Sequence, residues 1–377
     1  MKQSIRLGTI DGIEIDVNWS VILILALFAW ELADYVLPAR SGHASAADWI
    51  AGVIGAAVLL LSLLAHELSH SLVALHYGVR VRSITLFVFG GISQLEGEAH
   101  TPKADFRIAA AGPAMSLALA ALFGAMEAIF VAAGGHGIVG TLLSWLWEIN
   151  LLLAVFNLIP AAPLDGGRIL RAALWRHWGD HARASVAAAR AGRVFAILLI
   201  VFGFLAFLST GSAFGLWPAL IGLFVYSGAR TEEQYAQIQA ALATLTVGQV
   251  MTPQPAPVPM RTPVGDIASY LWQYRGEAVA VSDNSGRLTG VATAQAVNAV
   301  PPDRRASTTL ADIAFPLDSI AVGHPDEQMT AVLERMGAKE GHPALVLDSD
   351  NHLTGIVTNS DLQRAVDYGR GRQQNHR

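Results

Sequence analysis

Two histidines four residues apart, with a glutamate beside the first, are the residues of this sequence best able to do chemistry: His66-Glu67-Leu68-Ser69-His70. On a helix this spacing puts both imidazoles on one face, one turn apart, where a tetrahedral zinc can take them together. Glu67 then sits where it can accept a proton from an attacking water and return it to a leaving amine. A catalytic zinc usually takes a third protein ligand and keeps one open position. The sequence has no cysteine, so that ligand must be histidine or carboxylate. Asp165 is the best placed candidate, in Asn157-Leu158-Ile159-Pro160-Ala161-Ala162-Pro163-Leu164-Asp165-Gly166-Gly167-Arg168. Two prolines and two glycines break a helix there and free the backbone to turn a carboxylate inward. Glu96 and Glu98 stand next in line.

The elements that must position these groups are apolar. The 377 residues are 53% hydrophobic and 15% charged, against roughly a quarter charged in an ordinary soluble domain. The deficit lies in 1–229, which holds 27 charged residues against 28 in the shorter 230–377, and 194–229 holds none over 36 residues. The pattern predicts a polytopic α-helical membrane part with about six transmembrane helices, near Val17–Leu37, Trp49–Tyr77, Ile108–Ala133, Thr141–Ile159, 194–210 and 214–228, followed by a soluble module. Histidines and a glutamate late in an apolar span are costly, which argues for a function. The polar N-terminus, Met1 to Asp16, is unlike a cleavable signal peptide. Net charge is −5 with no basic block, so no nucleic-acid partner is expected.

Lys and Arg in the short loops set the orientation. With the N-terminus inside, Lys2, Arg6, Arg80, Arg82, Lys103, Arg107 and the six arginines from Arg168 to Arg193 all fall inside, and only Arg40 falls outside. Both termini are therefore expected in the cytosol, and HELSH and Asp165 at one depth near that face. Between the second and third spans, Val81–Phe89, Gly90-Gly91 and Ile92–Glu98 predict a membrane-associated β-hairpin whose free edge could pair with an extended peptide.

The soluble part repeats itself. Val247-Gly248-Gln249-Val250-Met251 and Leu310-Ala311-Asp312-Ile313-Ala314 open two units, in which Gly290-Val291-Ala292-Thr293 aligns with Gly355-Ile356-Val357-Thr358. Two such units predict a pseudo-symmetric α/β pair. The expected domains are 1–230 in the membrane, a linker at 231–246, repeats at 247–300 and 308–367, and a polar tail at 368–377.

HELSH in one span and NLIPAAPLDGGR in a later one together resemble the site-2 protease family of intramembrane zinc metalloproteases, over about residues 15–230. Phe89-Gly90-Gly91 and Ala111-Gly112-Pro113 fit the same pattern. The resemblance implies one zinc on His66, His70 and Asp165, Glu67 as general base, and Asn157 near the scissile carbonyl as an oxyanion donor. It also implies substrates that are transmembrane proteins of the cell membrane, such as membrane-tethered transcription regulators or anti-sigma factors. Gly355-Ile356-Val357-Thr358-Asn359-Ser360-Asp361 resembles the end of a CBS domain, over about 247–367 as a tandem pair. That resemblance implies an adenine nucleotide contacted by Thr358 and Asp361. The first unit has Ala296 where the acid would stand, and a pair serving as a homodimer contact is the other reading. A CBS-regulated transporter or channel is the alternative function, and the inverted repeats it would more often show are not detectable.

Overall fold

Alternation of Ile13, Ile15 and Val17 with charged residues, after a tight Asp11-Gly12 turn, makes a hairpin that the polar composition of this segment hides. Strand β1 (Ser4–Ile10) and strand β2 (Ile13–Asn18) are antiparallel. Asp11 and Gly12 join them with φ of 49° and 82°, the paired positive angles of a tight hairpin turn. Ile13 and Ile15 face inward, while Arg6 pairs with Glu14 and Asp16. This computed structural model describes residues 4–37, 45–87, 90–97, 99–253, 257–273, 277–339 and 342–375. The chain divides into two compact units, Met1–Gln234 and Tyr235–Arg377.

In the first unit, helix α1 (Ser20–Glu31) runs into a π-helical turn, Leu32–Val36. Helix α2 (Ala46–His76) opens on a capping box between Ser45 and Asp48. Strands β3 (Arg80–Phe87) and β4 (Gly90–Glu96) follow, the expected hairpin. The sheet order is β1-β2-β3-β4, with β2 and β3 parallel. β3 is therefore internal, paired on both sides, and the free edge expected over 81–98 belongs to β4 alone. Arg40, Val88, Phe89 and Glu98 lie outside the described residues.

Helix α3 (Pro102–Ala132) starts at a Thr101 cap with proline in its first turn. Helices α4 (Ile138–Asn157), α5 (Asp165–Trp178), α6 (His181–Thr210) and α7 (Trp217–Leu242) complete the series. Of these, α2, α3, α4 and α6 are long and apolar enough to cross a membrane. The other two expected spans differ. α1 with its π turn covers 17 residues, about 25 Å of rise against a hydrocarbon core of about 30 Å. α7 is uncharged only from Trp217 to Ala229, and then carries Arg230, Glu232 and Glu233. Outward-facing side chains such as Leu122, Ile129, Leu152, Leu198, Phe202 and Leu205 are large and apolar. Buried positions are small: α6 packs through Ala184, Ser185, Ala188, Gly192 and Gly203, as helices do where lipid rather than water surrounds them.

The α7 helix is continuous as far as Leu242, through most of the expected linker 231–246. In the second unit two four-stranded mixed sheets form. One contains Val258–Pro259, Ala278–Ser282, Leu288–Thr293 and Phe315–Pro316; the other Ala321–Gly323, Ala344–Leu347, Leu353–Val357 and Thr252–Pro253. The repeats exchange their first short strands. Thr252–Pro253, opening the first, pairs with Gly355 and Ile356 of the second, and Phe315–Pro316, opening the second, pairs with Gly290 and Val291 of the first. The matching registers make the pseudo-symmetry explicit, and a shared core of Ala280, Val291, Leu345 and Ile356 joins the sheets. The last helix, Asn359–Asn375, runs on through most of 368–377.

Candidate metal centre

One stripe of α3 organises the histidines of α2. Ile108, Gly112 and Ser116 recur every four residues, so they share one face of α3. His70 Nδ1 lies 2.6 Å from the Ile108 carbonyl oxygen, and His66 Nδ1 lies 2.8 Å from Ser116 Oγ. A carbonyl only accepts, so His70 donates from Nδ1 and its Nε2 lone pair is left free. Ser116 Oγ accepts from His66 Nδ1 in the same way when that ring presents Nε2. Between these anchors stands Gly112. A Cβ built there would come within 2.1 Å of His70 Nε2 and 2.5 Å of His66 Nε2. The bare backbone is what leaves room in front of both nitrogens.

Asp165 enters from the first position of α5. Its Oδ2 lies 3.1 Å from His66 Nε2 and 3.2 Å from His70 Nε2, and the two nitrogens are 3.3 Å apart. Four ligands at zinc distances of about 2.0–2.1 Å stand about 3.3 Å from one another in a tetrahedron. The three donor atoms therefore form one face of such a tetrahedron, and the donor set fits zinc. Asp165 does not cap its helix through its side chain, nor does it serve Arg168, whose guanidinium lies 3.7 Å from Asp105. Asp105 is almost wholly buried and takes a bidentate pair from Arg171, at 2.9 and 2.6 Å. This ion pair ties α5, and with it Asp165, to α3. Removing one partner would leave a buried charge, a loss of about 3–5 kcal/mol.

Glu67 points off the histidine face toward β4. Ser93 Oγ donates to its Oε2 at 3.2 Å, and Ser71 Oγ donates to its backbone carbonyl at 3.0 Å. Gly91 lies against the side-chain stem, where a Cβ would come within 2.3 Å of Glu67 Cγ. Asn157 ends α4, half-buried, eight residues before Asp165, and is not among the three converging donors. The Glu96 side chain and all of Glu98 lie outside the described residues. Glu127 accepts from Ser144 at 2.6 Å, a bond between α3 and α4, while Glu148 and His76 are exposed.

Sequence reasoning did not find Ser116, the Ile108 carbonyl, Ser93, or the Asp105–Arg171 pair. Ser116 could have been flagged as a hydroxyl inside an apolar span. The Ile108 carbonyl leaves no trace in residue identity. On α7, burial alone would raise the Glu233 carboxyl, but hydrogen bonds from Arg193 and Arg190 outweigh it and hold the group below its ordinary range.

In the second unit Thr358 and Asp361 are buried at the start of the last helix. Thr358 donates its N–H and its hydroxyl to Asp361 Oδ2, both at 2.7 Å, while Thr252 Oγ1 and Arg364 donate to Oδ1. Both carboxylate oxygens are thus occupied from within. A second group of metal-binding type, Asp348, Asp350 and His352, lies in a turn where the Asp348 carboxylate accepts from the N–H groups of Asp350 and His352.

The model of peptidase family M50 matches residues 54–135 and 131–202, and that of the CBS domain matches 247–299 and 311–368. Rip3 of Mycobacterium tuberculosis, named as a zinc metalloprotease, is 44% identical over 98% of this chain and 94% of its own. A zinc metalloprotease of Methanocaldococcus jannaschii is 27% identical over 97% of each chain. A solved site-2 protease from Methanocaldococcus jannaschii is 31% identical, covers 61% of this chain and 95% of its own, and aligns with a TM-score of 0.43.

Proposed function

The chain belongs to peptidase family M50, the site-2 protease family of intramembrane zinc metalloproteases, and from that premise we propose that it hydrolyses peptide bonds within transmembrane segments of membrane-tethered proteins. The observation that supports this most is the convergence of His66 Nε2, His70 Nε2 and Asp165 Oδ2 to 3.1–3.3 Å of one another beside Glu67. The two histidines and Asp165 hold the zinc, with each imidazole oriented through its Nδ1. Bound there, zinc supplies a Lewis acid toward the scissile carbonyl and makes water more acidic. Glu67 takes the proton of the attacking water and returns it to the leaving nitrogen. Asn157 is assigned as the donor to the carbonyl oxygen as it gains charge. A peptide bond inside a helix is shielded by its own hydrogen bonds, so the substrate segment must be drawn out straight. The free edge of β4 offers replacement backbone partners by strand addition.

The Lys and Arg distribution supports a multi-pass protein of the cell membrane with both termini in the cytosol. Family membership supports substrates anchored in that bilayer, such as transcription regulators or anti-sigma factors. The test is purified full-length protein in liposomes with a single-span substrate. The cut is expected inside the span, to disappear on chelation and to return with added zinc. Photocrosslinks from Gln94, exposed on β4, are expected to reach the cut segment. Cleavage that survives complete removal of zinc would overturn the reading.

The CBS pair modulates this activity by binding an adenine nucleotide at Thr358 and Asp361. Arg364 and Thr252 occupy one oxygen of Asp361, so a nucleotide bonding to that oxygen would have to displace one of them. A ligand shifts such an equilibrium only by its difference in affinity for the two arrangements, so a severalfold effect on cleavage is expected. Calorimetry with ATP and AMP is expected to show binding that Asp361→Ala removes. If the wild-type protein binds neither nucleotide, the pair is a homodimer contact instead.

A further inference from the structure

Glu67 precedes Leu68 on a helix whose neighbouring face is occupied by the two histidines, so a group from another element must fix its carboxylate. Strand β4 supplies two contacts. Its register sets Ser93 opposite Ile84 and Gly91 opposite Leu86, both deeply buried, so Ser93 and Gly91 share the inner face of the strand. Gly91 closes on the stem of Glu67, and Ser93 Oγ reaches Oε2 at 3.2 Å.

The hydroxyl protons have a consistent assignment. Ser71, one turn beyond Glu67 on α2, spends its proton on the Glu67 backbone carbonyl. Its oxygen lies 3.3 Å from Ser93 Oγ. Ser93 therefore has two acceptors within reach, the Ser71 oxygen and a carboxylate, and the charged one makes the stronger bond. Oε1 of Glu67 takes no hydrogen bond among the described residues and is left to receive a proton. Ser93 makes no bond to His66, His70 or Asp165, so its effect does not run through the ligands.

We propose that Ser93 is a positioning residue for Glu67, holding one carboxylate oxygen so that the other faces the reacting water. The inference rests on the reading of Glu67 as the general base. It also places the residue that orients that base and the strand edge offered to substrate on the same element, β4, so that docking of an extended segment and orientation of the proton acceptor share one backbone.

Ser93→Ala is expected to lower kcat roughly tenfold, the worth of one hydrogen bond to a charged group, with KM unchanged and zinc content full. Ser93→Thr keeps the hydroxyl on a strand that favours β-branched residues and is expected to restore most of the rate. A double-mutant cycle with Glu67→Asp separates positioning from packing. The shorter carboxylate has already left Ser93, so adding Ser93→Ala to Glu67→Asp is expected to cost nothing further. A wild-type kcat for Ser93→Ala, a loss of zinc, or an equal loss in both backgrounds overturns the proposal. Failure of the underlying reading looks different: Glu67→Gln would then stay active whatever Ser93 does.

Discussion

Glu67→Gln is expected to leave a full equivalent of zinc on the protein and to lower cleavage by about 10²- to 10⁴-fold, the usual worth of a positioned general base. The replacement has nearly the same shape. Its stem still fits against Gly91, and its amide oxygen still accepts from Ser93, so neither the strand nor the helix has reason to move. His66, His70 and Asp165 are untouched, and the Nδ1 bonds to Ser116 and Ile108 continue to hold the imidazoles. What is lost is a basic oxygen. Elemental analysis and turnover on one preparation decide the matter. A variant that keeps its zinc and cuts at near wild-type rate would remove Glu67 from the base role. A variant that loses its zinc would show that Glu67 also supports the metal site.

The parts of this site that were legible in sequence are those encoded by local spacing. His66 and His70 meet because four residues are one helical turn, and Asp165 is conspicuous because prolines and glycines interrupt an apolar stretch around it. The CBS repeat was legible for the same reason, since Gly290 and Gly355 recur in like surroundings. Long-range partnerships were not. The pairing of Ser116 with His66 spans 50 residues and depends on how α3 crosses α2. The exchange of strands between the repeats depends on topology that no single repeat specifies. The N-terminal hairpin carries a turn signature in Asp11-Gly12, but its strands are short and charged at Arg6, Glu14 and Asp16, so their apolar face is weak in sequence. Its presence changes the sheet: with β2 beside β3, β3 is paired on both sides, and among the described residues the edge strands are β1 and β4. Thr358 and Asp361 were named by resemblance; their mutual bonding is a local one over three residues, whereas the bond from Thr252 to Asp361 spans 109 residues and needs the strand Thr252–Pro253 in place.

Gly112→Ala is expected to remove zinc and activity together while the helices stay folded. The added methyl would sit 2.1 Å from His70 Nε2, 2.6 Å from His70 Cε1 and 2.5 Å from His66 Nε2. Real carbon contacts of this kind do not occur, so something must yield. The imidazoles cannot simply turn aside, because each is tied by Nδ1 to the helix that carries the methyl, at Ile108 and Ser116, one turn either side of residue 112. Moving α3 outward would lengthen both bonds and draw on the Asp105–Arg171 ion pair that links α3 to α5. The least costly response is a shift of the histidines out of the shared focus with Asp165. Outer-shell changes of this kind usually weaken metal binding by about 10- to 100-fold, and one that intrudes on two ligand nitrogens should reach the upper end or beyond. Gly124→Ala on the same helix is the control, since its Cβ would meet only the Trp147 side chain at 3.7 Å, an ordinary contact. The measurement is zinc per chain alongside the helical circular dichroism of wild type, Gly112→Ala, Gly124→Ala and Asp165→Ala. Zinc is expected to fall in Gly112→Ala and Asp165→Ala and to stay in Gly124→Ala, with helicity equal in all four. Full zinc in Gly112→Ala would mean that the two imidazoles do not meet the metal where their Nε2 atoms now converge.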